Sequence, residues 1–228
     1  MFVENPSWLA EAYARPINIT DTGYVMRNIY LSRKTLLIFT YIFGLRGATK
    51  KTFLDYAAGY GMLTRILRDY GLNFLWDDPY TENFFANGFE YKKGDTIDAL
   101  TCFECFEHFV EPLPEIEKML GISDTIFFST QLKPVGVIPQ ETWGYYGFNH
   151  GQHTSFYSKK TFEAIAKKYS LTYVTDGNTL HLLTKKKVSK RAITLVNFLS
   201  KIQLDLPLRK LLKSKTTADH DALVAKGF

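Results

Sequence analysis

The chain has only two cysteines in 228 residues, Cys102 and Cys105. That is too few for a disulfide framework, and a reducing, cytoplasmic setting is expected. It also lacks a long apolar run. The longest, residues 36–43, falls far short of the roughly 20 residues that a membrane-spanning helix needs. Residues 1–6 have neither a basic start nor an apolar core, so no secretory leader is expected. No internal repeat is visible, which excludes solenoids and propellers. Apolar residues are not scarce: with 46% hydrophobic and 15% aromatic residues the chain can fill a core, and a disordered polymer is excluded.

The net charge of +5 is unevenly spread. Residues 185–215 hold ten Lys or Arg and one acid, a net +9, which leaves −4 for everything else. The basic character belongs to the C-terminal tail, so nucleic acid is not expected as the partner of the main domain.

Three regions follow from the pattern. Residues 1–50 read as a helical cap, since residues 27–43 lack the period-2 alternation of a strand. Residues 51–187 alternate strand and helix: strands near 53–55, 73–76, 97–103 and 124–132, a brief one at 89–91, and helices over 62–70, 80–87, 112–120 and 159–169. Two further runs, 171–174 and 180–183, make a terminal hairpin. The fold class is therefore α/β, Rossmann-like, with a mostly parallel sheet, flanking helices and an antiparallel end. Residues 133–157, aromatic and rich in Gly, Pro and His, read as a lid or acceptor loop. Residues 188–228 form a basic helical tail. There Leu195, Leu199, Ile202 and Leu206 share a helical face that Pro207 ends, suited to packing on the domain, pairing in a homodimer or touching an anionic surface.

Residues 52–78 organise the chain. They run strand, glycine loop, helix, strand, acid, the skeleton of a nucleoside-cofactor site. A dinucleotide fingerprint needs glycines at 59, 61 and 64, but position 64 is Thr. A phosphate-binding P-loop needs Gly-Lys-Ser/Thr after the loop, and none is present. Asp55 before the loop would repel a pyrophosphate and suit a cationic amine.

Leu54-Asp55-x-Ala57-x-Gly59-x-Gly61 resembles motif I of the class I S-adenosylmethionine-dependent methyltransferases. The resemblance extends over residues 52–185. It implies S-adenosylmethionine as cofactor, held by Asp55, Ala57, Gly59, Gly61, Asp78 and Glu104. Asp78 is the first choice for the acid that binds the ribose hydroxyls, with Asp77 as fallback. The family usually has Gly where Ala57 stands, and Ala adopts positive φ poorly. Residues 101–109 resemble the family's Glu-x-x-Glu-His segment, and residues 151–157 its later His segment. The set is similar to a bacterial subgroup associated with O-methylation of surface glycans and small molecules. That implies a small polar acceptor such as a sugar or nucleotide-linked sugar.

Two chemistries stay open near the methyl group. His153 or His108 is a general base suited by a near-neutral pKa. Alternatively Glu104, Glu107, His108 and His153 bind a divalent metal that acidifies the acceptor hydroxyl, with His150 competing for the fourth place. The latter set resembles the metal site of small-RNA 3′-terminal 2′-O-methyltransferases. A metal-dependent RNA 2′-O-methyltransferase and a non-catalytic methyltransferase-like binding module are therefore the alternative functions. Trp143, Tyr145, Tyr146, Phe148 and Phe156 read as an aromatic wall around the acceptor or as a lid packed on the sheet edge. His181 reads as packing, Cys102 as strand core, and Cys105 as lining the cofactor pocket or packing beneath it.

Overall fold

The computed structural model describes residues 21–136, 142–147 and 153–227. Apolar runs punctuated by glycine fold into a six-stranded sheet of order β2-β1-β3-β4-β6-β5. The strands are β1 (Thr52–Tyr56), β2 (Asn73–Asp77), β3 (Ala99–Cys102), β4 (Thr125–Ser129), β5 (Thr172–Thr175) and β6 (Leu180–Thr184). The first four run parallel, with Asp55 beside Trp76 and Thr101, and Cys102 beside Phe128. β6 runs antiparallel to β4 and to β5, which confirms the expected hairpin.

Side-chain alternation along each strand divides the core between two faces of the sheet. Phe53, Phe74, Ala99, Phe127 and Leu182 pack with Leu36, Ile38 and Phe39 of α1 (Tyr24–Phe43) and with Ile193 and Val196 of α6 (Ala192–Lys201). The neighbouring Leu54, Leu100, Ile126, Phe128 and Leu183 pack on the other face. Their partners there are Ile116 and Met119 of α4 (Pro112–Ile122) and Phe162 and Ile165 of α5 (Lys159–Lys168). Between these lie the short α2 (Leu45–Ala48) and α3 (Met62–Asp69), and the tail adds α7 (Asp205–Leu211) and α8 (Thr216–Ala225). Ser158 caps α5 through a capping box with Thr161.

Five local expectations fail. Residues 80–87 are not helical. Their amides bond elsewhere: Tyr80 and Thr81 donate to Asp78, Phe84 and Phe85 to the Tyr60 carbonyl, and Ala86 to Asn83. With those donors engaged, no i−4 ladder can form. Residues 89–91 make only one parallel bridge, Trp76 to Glu90. Gly121 lies inside α4 and does not end it. Pro207 sits in the first turn of α7, where its missing N–H costs no hydrogen bond. The expected helical face of the tail is also rotated. α6 buries Ala192, Ile193 and Val196, while Leu195 and Ile202 face outward and Leu199 packs at the rim.

The sheet reverses its winding at β1 and β3, because β2 lies beyond one and β4 beyond the other. The crevice past the C-terminal ends of those strands is where open α/β sheets hold ligands.

Candidate functional site

The loop leaving β1 enters the left-handed region three times, at Ala57 (φ 58°), Gly59 (φ 55°) and Gly61 (φ 80°). Glycine does this freely; Ala57 does it under strain. A Cβ at Gly61 would drive into the Asn83 amide, so this glycine is required by close approach as well as by φ. The loop is tied to the end of β2 by two bonds. Ala58 N donates to the Asp77 carbonyl (3.3 Å), and Gly59 N donates to Asp78 Oδ2 (2.8 Å). Asp78 Oδ1 accepts from Tyr80 and Thr81, both at 2.9 Å. Its carboxylate is thus locked beside the loop, with lone pairs left over for another donor. Asp77 is raised from its usual range by burial and by Asp78.

Asp55 is buried, accepting from Thr64 Oγ1 at 3.1 Å and Thr101 Oγ1 at 2.8 Å. Burial lifts its carboxyl to about 7, against the pull of the two threonines. It therefore joins β1 to α3 and β3, and its ionisation responds to any cation brought near.

Two residues that motif reasoning passed over belong to this edge. Tyr24 and Arg27 stand in the first turn of α1. The Tyr24 hydroxyl is pushed up to about 12 by burial and by the Asp55 charge, with Tyr60 adding to it. Arg27 grips Asp21 through two bonds, 3.1 and 2.6 Å, and feels Glu104. The signal in the sequence was Tyr24 and Arg27, two polar groups three residues apart on one face of the first helical turn.

After β3 the chain turns sharply. Glu104 is exposed at φ 52°, held by Ser129, whose hydroxyl accepts from Glu104 N (2.8 Å) and donates to Glu104 Oε1 (2.6 Å). A 3₁₀ turn, Phe106–His108, follows. Thr154 N and Ser155 N both donate to the Glu107 carbonyl, and Ser155 Oγ donates to Phe109 O. These bonds lay the His153 segment on the turn, and the His108 and His153 rings come to 5.0 Å between centroids.

Glu107, His108 and His153 converge so that one ligand atom from each lies within 4.8 Å of the others. Glu104 is not among them. Its carboxylate instead repels that of Glu107, which burial, with help from Glu104, raises to about 8. Glu107 Oε2 is buried without a hydrogen-bond partner. His153 Nδ1 lies 2.5 Å from the Tyr145 carbonyl. A carbonyl only accepts, so Nδ1 carries the proton and Nε2 is the basic nitrogen. His150 and Phe148 fall outside the described residues.

Trp143, Tyr146 and Phe156 pack on one another at 5.1 to 5.4 Å, and Tyr145 lies 4.6 Å from His153. Tyr145 Oη accepts from Gln131 N and meets Thr130 Oγ1, which fixes this wall to the end of β4. His181 is fully buried, donating Nε2–H to Thr130 O and lowered to about 4 by burial, so it packs as expected. Cys102 and Cys105 are free thiols.

A sheet of this order, with a left-handed glycine loop after β1 and an acid locked to it from the end of β2, defines the class I S-adenosylmethionine-dependent methyltransferase fold. The family model for a methyltransferase domain matches residues 28–176, well over half of the chain, and the chain belongs to that family. No curated protein matches it in sequence. Among solved structures it resembles magnesium protoporphyrin IX methyltransferase (ChlM) from Synechocystis PCC 6803 with bound SAH. The identity is 13%, coverage is 77% of this chain and 94% of that one, and the TM-score is 0.51. Weaker likenesses include an O-methyltransferase family protein from Burkholderia thailandensis, with 14% identity, 75% and 62% coverage and a TM-score of 0.48. Another is the small RNA methyltransferase HEN1, with 16% identity, 72% and 25% coverage and a TM-score of 0.44. At these identities the likeness is one of fold.

Proposed function

We propose that the protein transfers the methyl group of S-adenosylmethionine to a hydroxyl of a sugar or nucleotide-linked small molecule. The observation that carries this reading is the convergence of His153, His108 and Glu107 on the sheet edge that also bears the glycine loop. The bound cofactor supplies an electrophilic methyl group on a cationic sulfonium. The chain's own residues do the rest. The loop at Ala57, Gly59 and Gly61 lets backbone approach the nucleoside closely, and Asp78 accepts hydrogen bonds from the ribose. Asp55 counters the cationic amino acid end, and Glu104 lines the crevice. His153 Nε2 takes the acceptor proton, with His108 beside it, and the aromatic wall stacks on a sugar or base. Positioning and proton removal are all that an in-line displacement asks of the protein.

A second reading rests on the orphaned Glu107 Oε2. One carboxylate and two imidazoles suit a divalent metal, and such an ion would give that oxygen its missing partner and acidify the acceptor hydroxyl. Glu107, His108 and His153 would hold it. The test is methyl transfer from labelled cofactor to a panel of nucleotide sugars, free glycans and short RNA, with and without chelator. Transfer to sugars that survives chelation supports the first reading. Chelator-sensitive transfer supports the second, and transfer to RNA alone overturns the acceptor assignment.

A further inference from the structure

The match to the methyltransferase family ends at residue 176, and the segment beyond it carries an exposed apolar surface. α6 packs one face on the domain and turns the other outward, leaving Leu195 44%, Phe198 57% and Ile202 56% exposed. Their spacing of three and four residues stacks them into one stripe along the helix. Lys190, Arg191 and Lys201 flank the stripe, exposed, and form no salt bridge among the described residues. The one acid between residues 185 and 215, Asp205, is fully buried and paired with Arg209 and Arg33. The face is therefore apolar along its ridge, with Lys190 and Arg191 at one end and Lys201 near the other, and the Asp176 carboxylate beside Asn197 is the acid that borders it.

Self-pairing would bring two segments of net +9 together, which like-charge repulsion opposes. Leu195 and Phe198 border an apolar hollow with Tyr41, and Ile202 is exposed further along the helix; a lipid interface can take up these side chains while anionic headgroups meet the flanking cations. We propose that α6 docks the protein in the plane of an anionic lipid surface. No helix among the described residues is long and apolar enough to cross a membrane, so the contact is peripheral. Asn197 Nδ2 donates to Asp176 Oδ2 (3.2 Å) in the β5–β6 turn, at the edge where β4 ends. That edge also bears the glycine loop, and docking through α6 holds it close to the bilayer.

Co-sedimentation of the full chain with vesicles tests this. Binding is expected to vesicles of phosphatidylcholine with phosphatidylserine, and not to phosphatidylcholine alone. Phe198→Glu/Ile202→Glu should weaken it about tenfold or more. Lys190→Glu/Arg191→Glu should weaken it by about fivefold per residue or more. Cofactor affinity and melting temperature should be unchanged in both, since these side chains are exposed. Wild-type protein that ignores the anionic vesicles overturns the proposal, as does equal binding by folded variants. A dimer in ultracentrifugation that Phe198→Glu/Ile202→Glu converts to monomer also overturns it, assigning the face to a second copy.

Discussion

Arg68 and Asp219, 151 residues apart, meet in a bidentate ion pair, with Nε to Oδ2 at 2.7 Å and Nη2 to Oδ1 at 2.6 Å. Only 5% and 6% of the two side chains is exposed. Arg68 also donates to the Phe74 carbonyl (2.7 Å) and lies 3.7 Å over the Phe89 ring, while Arg65 reaches Asp219 at 2.9 Å. The pair fastens α8 to α3 and to the start of β2, so the last helix braces the domain that carries the glycine loop.

Removing one partner should therefore be costly, because the other is left as a buried charge. Asp219→Ala is expected to lose about 3 kcal/mol in chemical denaturation. Burial raises the Asp219 carboxyl, but Arg68 and Arg65 outweigh it and hold the group below its ordinary range. The stability it adds is thus present above pH about 4 and lost as pH falls further. An Asp219→Ala variant as stable as wild type at neutral pH would contradict this bracing role.

Ala57 at φ 58° carries backbone strain that glycine would not. Ala57→Gly should raise stability by about 1 kcal/mol, because relief of the left-handed strain exceeds the extra unfolded-state entropy. Cofactor affinity should hold or improve. A less stable Ala57→Gly protein would show that the loop relaxes the strain elsewhere.

Asp55 links stability to pH with the opposite sign from Asp219. Its folded value of about 7 lies above the ordinary carboxylate range, so the neutral form favours folding. That contribution is complete below pH about 4 and disappears as pH rises through 7. Asp55→Asn should then stabilise the cofactor-free protein at pH 8, by about 1.4 kcal/mol for each unit of the shift it removes, and change little at pH 4. The same substitution should weaken binding of the cationic cofactor about tenfold. Opposite signs on stability and affinity are the signature; loss of both would mark Asp55 as purely structural.

Much of this was legible in the sequence, and the misses are instructive. The strands were readable because each is a short apolar run, some of them ended by an acid, as Phe53-Leu54-Asp55 and Phe74-Leu75-Trp76-Asp77 show. Residues 80–87 misled because their amides are taken by Asp78, Asn83 and Tyr60, partners that spacing does not reveal. The tail helix misled because both of its faces are apolar, and only packing on α1 decides that Ile193 and Val196 turn inward. In the site, Glu107, His108 and His153 could be named from the resemblance of residues 101–109 and 151–157 to the family's Glu-x-x-Glu-His and later His segments. Their convergence depends on the Thr154 and Ser155 amides bonding to the Glu107 carbonyl, a contact between segments more than 40 residues apart. Tyr24 and Arg27 stand before the first strand, where motif spacing gives no guidance.

At the reacting centre, His153→Ala should lower the transfer rate by about 10²-fold or more with little change in cofactor affinity, as expected of a general base. Glu107→Gln separates the two mechanisms. With His153 as base and no metal, it should keep much of the activity, and added divalent ions should have no effect. With a metal, it should lose activity that excess metal partly restores. Steady-state kinetics across a metal series reads the difference.

Calorimetric titration shows whether the β1 loop and Asp78 form an S-adenosylmethionine site. Wild-type protein should bind S-adenosylmethionine or S-adenosylhomocysteine with one-to-one stoichiometry. Asp78→Ala should bind about 10²-fold more weakly, and Asp77→Ala should lose much less, since only the Asp78 carboxylate is locked to Gly59. Equal affinity in wild type and Asp78→Ala would show that Asp78 does not hold the cofactor, and no binding by the wild type would show that the β1 loop is not an S-adenosylmethionine site.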